Sequence, residues 1–341
     1  MEYFVPKRAY FEPNAMEYPL GRKIYEQLTE LGIQPEWTGS HNRVTGIPGK
    51  TPGEAYREAK QTLVVGVRKS GEFASCKPSA HYQLPLNTSC PSMCEYCYLA
   101  TTLGKKPYVR IYVNIEEILA KTEDYIRGRE PEITYFEGAA TSDPIPTEYL
   151  TGLLYQTIEF FGRQKYGRFR FVTKHIHVDS LLAAKHEGHT RFRFSLNAGE
   201  VIKKFEHRTP SMDERIAAAG KVARAGYPLG FIIAPIIQYP GWQQGYAELF
   251  RRLGEQLDTA AGSDLTFELI THRFTKRAKG NILDVFPETQ LPMEEKERQF
   301  KFGQFGYGKY IYEKNTMQEI KEFMISQISD CFPAAKIDYF V

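Results

Sequence analysis

The 341-residue chain has no run approaching the roughly 20 apolar residues that a membrane-crossing helix needs. Its opening, MEYFVPKRAYFEP, holds no apolar core long enough for a secretory signal, so a cytoplasmic protein is expected. Charge of one sign is equally scarce. Forty-four Lys and Arg against 41 Asp and Glu leave a formal +3, too little to announce a polyanion partner. Any nucleic-acid surface must then come from local clustering. Cysteine is sparse too: five thiols, an odd number, do not make a disulfide framework and agree with a reducing compartment. Apolar residues are not lacking. At 42% hydrophobic and 25% charged, the chain can bury a full core as one large domain with an N-terminal extension.

Three of the five thiols fall in one stretch, Cys90-Pro-Ser-Met-Cys94-Glu-Tyr96-Cys97-Tyr98-Leu99, at C-x3-C-x2-C spacing. Structural zinc takes four ligands and usually brings a second pair downstream. Thiolates also hold iron–sulfur clusters, and three of them leave one iron open to another molecule. A [4Fe–4S] cluster with a free iron fits this spacing better than a zinc knuckle or three buried small hydrophobes. Pro85, Pro91 and Ser92 suit the tight loop it needs. Cys76 and Cys331, outside the stretch, read as structural.

Residues 1–75 read as an extended entry, a helix near 20–31, a Gly/Pro-rich loop at 45–53, another helix and an apolar segment at 62–67, with no chemical motif. From 80–85 onward the pattern becomes regular. Strand-like runs at 133–136, 169–173, 191–196, 228–237 and 265–270 alternate with helical stretches at 115–129, 147–161, 179–186, 211–225 and 245–257. Six repeats of strand then helix predict parallel strands with right-handed crossovers, an α/β fold of the (β/α)6 partial TIM-barrel kind. We expect an N-terminal cap at 1–78, the barrel at 79–275, and a C-terminal segment at 276–341 within one compact unit. Chemistry in such barrels collects where strand C-termini meet their loops. That rule selects Cys90, the run Glu137 to Asp143, Lys174 and His175, Ser195 to Asn197, Ala234 and Pro235, and Thr271 to Arg273. After 275 the repeat stops. Residues 298–312 alternate aromatic with basic or small residues around glycines placed for a hairpin, and 317–328 reads as an amphipathic helix. A basic aromatic ribbon can hold phosphates and present rings to bases, although an edge hairpin packed on the barrel has the same composition.

The cysteine spacing and the aromatic residue before Cys97 resemble the radical S-adenosylmethionine enzymes. Together with Glu137-Gly-Ala-Ala-Thr-Ser-Asp-Pro144, Ser195-Leu-Asn197 and Phe302-Gly-Gln304-Phe-Gly-Tyr-Gly-Lys309, they resemble the spore photoproduct lyase family across nearly the whole chain. That resemblance implies repair of 5-thyminyl-5,6-dihydrothymine in DNA to two thymines, through a 5′-deoxyadenosyl radical that takes hydrogen from C6. It implies Cys90, Cys94 and Cys97 on a [4Fe–4S] cluster, and Tyr98, Glu137, Ser142, Lys174, Ser195, Asn197 and Ala234 around S-adenosylmethionine. Tyr96 and Tyr98 would pass hydrogen back. Arg273, Lys301, Phe302, Gln304 and Lys309 would contact DNA carrying the spore lesion. A flavodoxin- or ferredoxin-type one-electron donor, a monomer, and the spore core or germinating cell as location are further expectations.

The family pattern reads Glu-Gly-Ala-Cys-Thr-Ser-Asp, and this chain has Ala140 where that pattern has its hydrogen-donating cysteine. Read alone, Ala140 looks like an engineered substitution that impairs hydrogen return. Two other functions share parts of the pattern. A different radical S-adenosylmethionine enzyme, an activase or methyltransferase, would leave the basic aromatic ribbon unexplained. A DNA-binding protein with a structural cluster would ignore S-adenosylmethionine.

Overall fold

A computed structural model describes residues 3–69, 71–257, 264–302 and 308–341. The chain forms two compact units, Met1–Pro91 with Leu103–Phe192, and Ser92–Thr102 with Arg193–Val341.

The first unit holds two sheets. One runs Glu36–Trp37, Arg8–Phe11, Thr62–Gly66, Val109–Tyr112, Asn87–Thr88, parallel except for the last pair. Every residue of Thr62–Gly66 is buried, as expected for a β-branched strand covered on both faces. The helix before it, Pro52–Lys60, begins with a capping box from Thr51 and Glu54 and a proline in its first turn. In the other sheet, Ala80–Gln83, Thr134–Glu137 and Gly167–Thr173 pair in parallel, with Ser75–Cys76 antiparallel at the edge. Strand Thr190–Leu196 begins in this unit and ends in the second.

Two expected helices differ. The stretch at 147–161 is two helices, Ile145–Thr151 and Leu153–Gly162, broken at Gly152 with φ +64°, a conformation glycine adopts without side-chain strain. Glu148 caps the second helix by accepting from the Leu154 and Tyr155 N–H groups at 2.8 and 3.0 Å. The stretch at 179–186 makes only a 3-10 turn, Asp179–Leu181.

In the second unit Leu229–Ile236, Leu265–Thr271 and Lys336–Phe340 are parallel neighbours. Helices Met212–Arg224 and Trp242–Leu257 bury Ile216, Leu249, Phe250 and Leu253. The strand Lys336–Phe340 is not anticipated by the sequence pattern. Gln299–Phe302 and Gly308–Ile311 form the antiparallel hairpin expected at 298–312, and helix Lys314–Cys331 follows it. Among the described residues no helix is long and apolar enough to cross a membrane.

Candidate functional site

The cysteine loop is anchored separately in each unit. In the first, Cys90 follows Ser89, whose φ of +63° lies in the left-handed region that non-glycine residues rarely occupy. Local bonds hold it there. Ser89 N–H donates to the Thr141 carbonyl at 2.7 Å and its hydroxyl donates to the Pro107 carbonyl at 2.7 Å. Lys60, 0% exposed, donates through Nζ to Ser89 Oγ at 3.3 Å and to the Cys90 carbonyl at 3.0 Å, with the Tyr56 ring 5.3 Å away. A buried ammonium at the end of a helix therefore fixes the backbone of the first cysteine.

In the second unit Cys94 is buried in the two-residue strand Met93–Cys94, which pairs antiparallel with Glu206–His207. Cys97 N–H donates to the Cys94 carbonyl at 3.2 Å, curling the loop. The half-buried Tyr96 hydroxyl donates to Glu206, and Glu206 is paired with Arg215 at 2.6 Å. Arg215, fully buried, also donates to the carbonyls of Ser195 and Pro210, each at 3.0 Å, and to Thr209 Oγ1 at 2.7 Å. Burial first, then the Glu206 carboxylate, pushes the Tyr96 phenol well above its ordinary range, so it stays protonated. Glu95 accepts from Thr289 and contacts His207 Nε2 at 2.7 Å. Tyr98 is 60% exposed.

Among the described residues no three or more His, Cys, Asp or Glu side chains gather as a single-ion site, and none of the three cysteines is disulfide-bonded. Three thiolates on one loop suit an iron–sulfur cluster, which thiolates hold, better than structural zinc, which takes four ligands.

In the first unit the expected strand-end residues meet around two carboxylates. Glu137, 3% exposed, accepts from Ser79 Oγ at 3.2 Å and from Ala139 N–H at 3.1 Å, with Arg170 Nε 3.6 Å away. Asp143 has no assigned role from the sequence, yet it organises this end. It accepts from Thr173 Oγ1 and Lys174 N–H, each at 2.8 Å, and from Ile145 N–H at 3.2 Å. Burial raises its carboxyl to about 6 despite these donors. Ser142 bridges to Ser89 in parallel, and Lys174 is half-buried.

In the second unit Ser195 is nearly buried, and Ala234 is half-buried in Leu229–Ile236. Asn197 is fully buried: Nδ2 donates to the Pro235 carbonyl at 2.7 Å, and Oδ1 accepts from Tyr246 OH at 2.7 Å and from Ala198 N–H at 3.0 Å. Its carboxamide ties two strand ends together.

The hairpin pairs Lys301 directly with Lys309 across its strands. Opposed like charges weaken a ladder unless an anion joins them. Burial, then the charges of Arg273 and Lys301, lower Lys309 from its ordinary value, so the three cations feel one another. Phe302 beside them is 74% exposed and Phe300 is 47% exposed. Gln304 lies outside the described residues. Arg298 belongs elsewhere: it donates to the His272 and Pro292 carbonyls at 2.9 and 2.8 Å and lies 3.7 Å over the Tyr312 ring.

The family profile described as "Spore photoproduct lyase" matches residues 4–341. A Geobacillus sp. spore photoproduct lyase is 54% identical over 340 residues, covering all of both chains. The Bacillus subtilis enzyme of that name is 52% identical over 337 residues, 99% of this chain and 98% of the other. A solved spore photoproduct lyase complexed with dinucleoside spore photoproduct superposes with a TM-score of 0.97 at 53% identity, covering all of both chains. Another solved example has alanine for cysteine and cysteine for serine at the positions numbered 140 and 76, with AdoMet and the dinucleoside bound. It also gives a TM-score of 0.97, at 54% identity over all of both chains. These likenesses bear out the mixed α/β, half-barrel expectation, and the chain belongs to the spore photoproduct lyase family.

Proposed function

We propose that this chain repairs the spore photoproduct in DNA, reversing 5-thyminyl-5,6-dihydrothymine to two thymines, with a [4Fe–4S] cluster and S-adenosylmethionine as cofactors. The cluster and S-adenosylmethionine, when bound, supply the one-electron cleavage that begins hydrogen abstraction from the lesion. Cys90, Cys94 and Cys97 hold the cluster. Lys60 and the Glu206 strand set the backbone from which those thiols project. Glu137, Ser142 and Lys174 serve the amino-acid end of S-adenosylmethionine, Ser195 and Asn197 frame its ribose, and Tyr98 and Ala234 lie by its adenine. Tyr96 and Tyr98 relay hydrogen, and the Tyr96 hydroxyl is held in place by Glu206.

Lys301, Lys309 and Arg273 hold phosphates while Phe302 enters the stack, so that the lesion can leave the duplex. The enzyme acts as a monomer in the spore core or germinating cell and takes its electron from a flavodoxin- or ferredoxin-type donor. The observation that carries this reading is the pairing of Lys301 with Lys309 beside exposed Phe302, in a chain that belongs to this family throughout its length. Anaerobic reconstitution with the dinucleoside lesion tests it. Conversion to two thymines is expected; cofactor cleavage with the lesion left intact would overturn the substrate.

A further inference from the structure

The first unit holds a cavity of about 350 Å³ that no step above uses, lined by Ser75, Lys77, His81, Tyr82 and Arg129. Three of these side chains are basic and none is acidic. His81 stands on the strand Ala80–Gln83. Arg129 follows helix Ile115–Arg127 and leads into Thr134–Glu137, which pairs in parallel with the His81 strand, so the sheet brings the two side chains to one place.

Their hydrogen bonds do not close. His81 Nδ1 accepts from the Tyr135 N–H at 3.0 Å. An imidazole that accepts at Nδ1 is neutral and carries its proton on Nε2. Nε2 is therefore a donor, and the atom facing it 3.4 Å away is Arg129 Nη2, which has no lone pair to accept with. Nη2 gives one hydrogen to Glu132 at 2.9 Å, which leaves its other hydrogen for the His81 side. Arg129 Nε is buried and has no partner among the described residues. Burial, then the charges of Arg129 and Lys77, lower His81 from its ordinary value although Glu132 acts the other way, which agrees with a neutral ring. Glu132 is 72% exposed and does not line the cavity, so it leaves the inner side of the guanidinium unanswered.

We propose that this cavity binds a phosphate group, with His81 Nε2 and the Arg129 guanidinium as hydrogen-bond donors and the Lys77 ammonium as a further countercharge. The gap lacks an acceptor that carries negative charge. A water molecule would accept there but would leave the cations unneutralised, and a planar carboxylate matches the arginine fork alone. A tetrahedral phosphate offers oxygens in several directions, so one group serves the imidazole, the fork and the ammonium together. The phosphate comes either as the free anion or from the backbone of a DNA strand. The site stands without the lyase reading; only its DNA source rests on that reading.

The test uses the unaltered full-length protein with 15N-labelled histidine, titrated with inorganic phosphate at constant ionic strength. The His81 ring signals, assigned by their absence from His81→Gln, should shift saturably with phosphate and stay still with chloride. Arg129→Gln should weaken the phosphate affinity read at His81 by about ten-fold, the loss expected for one charge-assisted donor set. An undamaged duplex separates the two sources. If the phosphate belongs to DNA, the duplex displaces inorganic phosphate from His81, and Arg129→Gln lowers the slope of log affinity against log salt by about 1. If the ligand is the free anion, the duplex binds with phosphate still on His81 and the slope is the same in both proteins.

His81 signals in the unaltered protein that move with neither phosphate nor duplex would overturn the site, and no variant enters that measurement. A phosphate-dependent shift of equal affinity in folded Arg129→Gln would overturn it as well. Neither result touches the lyase reading, which is read from lesion conversion.

Discussion

Replacing Arg215 with Met should destabilise the second unit more than any change at the surface. Arg215 and Glu206 are an ion pair in which neither side chain meets solvent, and Arg215 also satisfies two carbonyls and a threonine hydroxyl. Removing one member of such a pair leaves a charge buried and uncompensated, at a cost of about 3–5 kcal/mol. That is a fifth or more of a typical domain's stability of about 5–15 kcal/mol. The assay is urea unfolding of the metal-free protein by tryptophan fluorescence. Each unit has one tryptophan, Trp37 at 57% exposure in the first and Trp242 at 8% in the second. A Trp37→Phe background therefore isolates the second unit. Arg215→Met should lower its stability by the stated amount, and Arg215→Met with Glu206→Gln should recover part of it, since the stranded charge is gone. A loss below about 1 kcal/mol, or a double variant that costs the sum of the singles, would refute the argument that the pair is buried and coupled.

Lys60→Met should keep the fold, because a buried charge is removed along with its bonds, but should free the Cys90 carbonyl; reconstituted protein should retain less iron than the unaltered enzyme, measured after gel filtration. Burial raises the Glu148 carboxyl to about 7 from 4.5, so the folded state keeps a proton that the unfolded state has already lost between those values. Stability therefore falls as pH rises through that window, by about 1–3 kcal/mol, and Glu148→Gln should flatten this part of the pH–stability curve in denaturant titrations. Lys301→Ala and Lys309→Ala should each weaken duplex binding and reduce the slope of log affinity against log salt by about 1, whereas Phe302→Ala should weaken binding with the slope unchanged.

The barrel strands were legible because each is a short apolar or β-branched run with a helix pattern between it and the next; Phe231, Ile233, Phe267 and Leu269 are all buried. The edge strand Lys336–Phe340 was not, since its residues are exposed or half-buried and carry no buried stripe. Gly152 concealed its break because an isolated glycine inside a helical pattern is ordinarily tolerated. The cysteines, the Glu137–Asp143 run and the hairpin were readable from spacing and composition. The Tyr96–Glu206–Arg215 network was not. Arg215 follows Asp213 and Glu214 in a capped helix, where a solvent-facing arginine looks the same, and only the fold brings it to Glu206. Lys60 is similar: a lysine in a helix's last turn usually serves the dipole in solvent, and here it is buried with its ammonium on Ser89 and the Cys90 carbonyl.

Lesion reversal is tested most directly on a duplex oligonucleotide with a single spore lesion, treated anaerobically with the reconstituted, reduced protein and S-adenosylmethionine. The lesion and its repaired form are isomers, so the treated strand should keep its mass, regain thymine absorbance and co-elute with the undamaged strand. A strand of unchanged mass that still elutes as the lesion, while S-adenosylmethionine is cleaved to 5′-deoxyadenosine, would contradict the account.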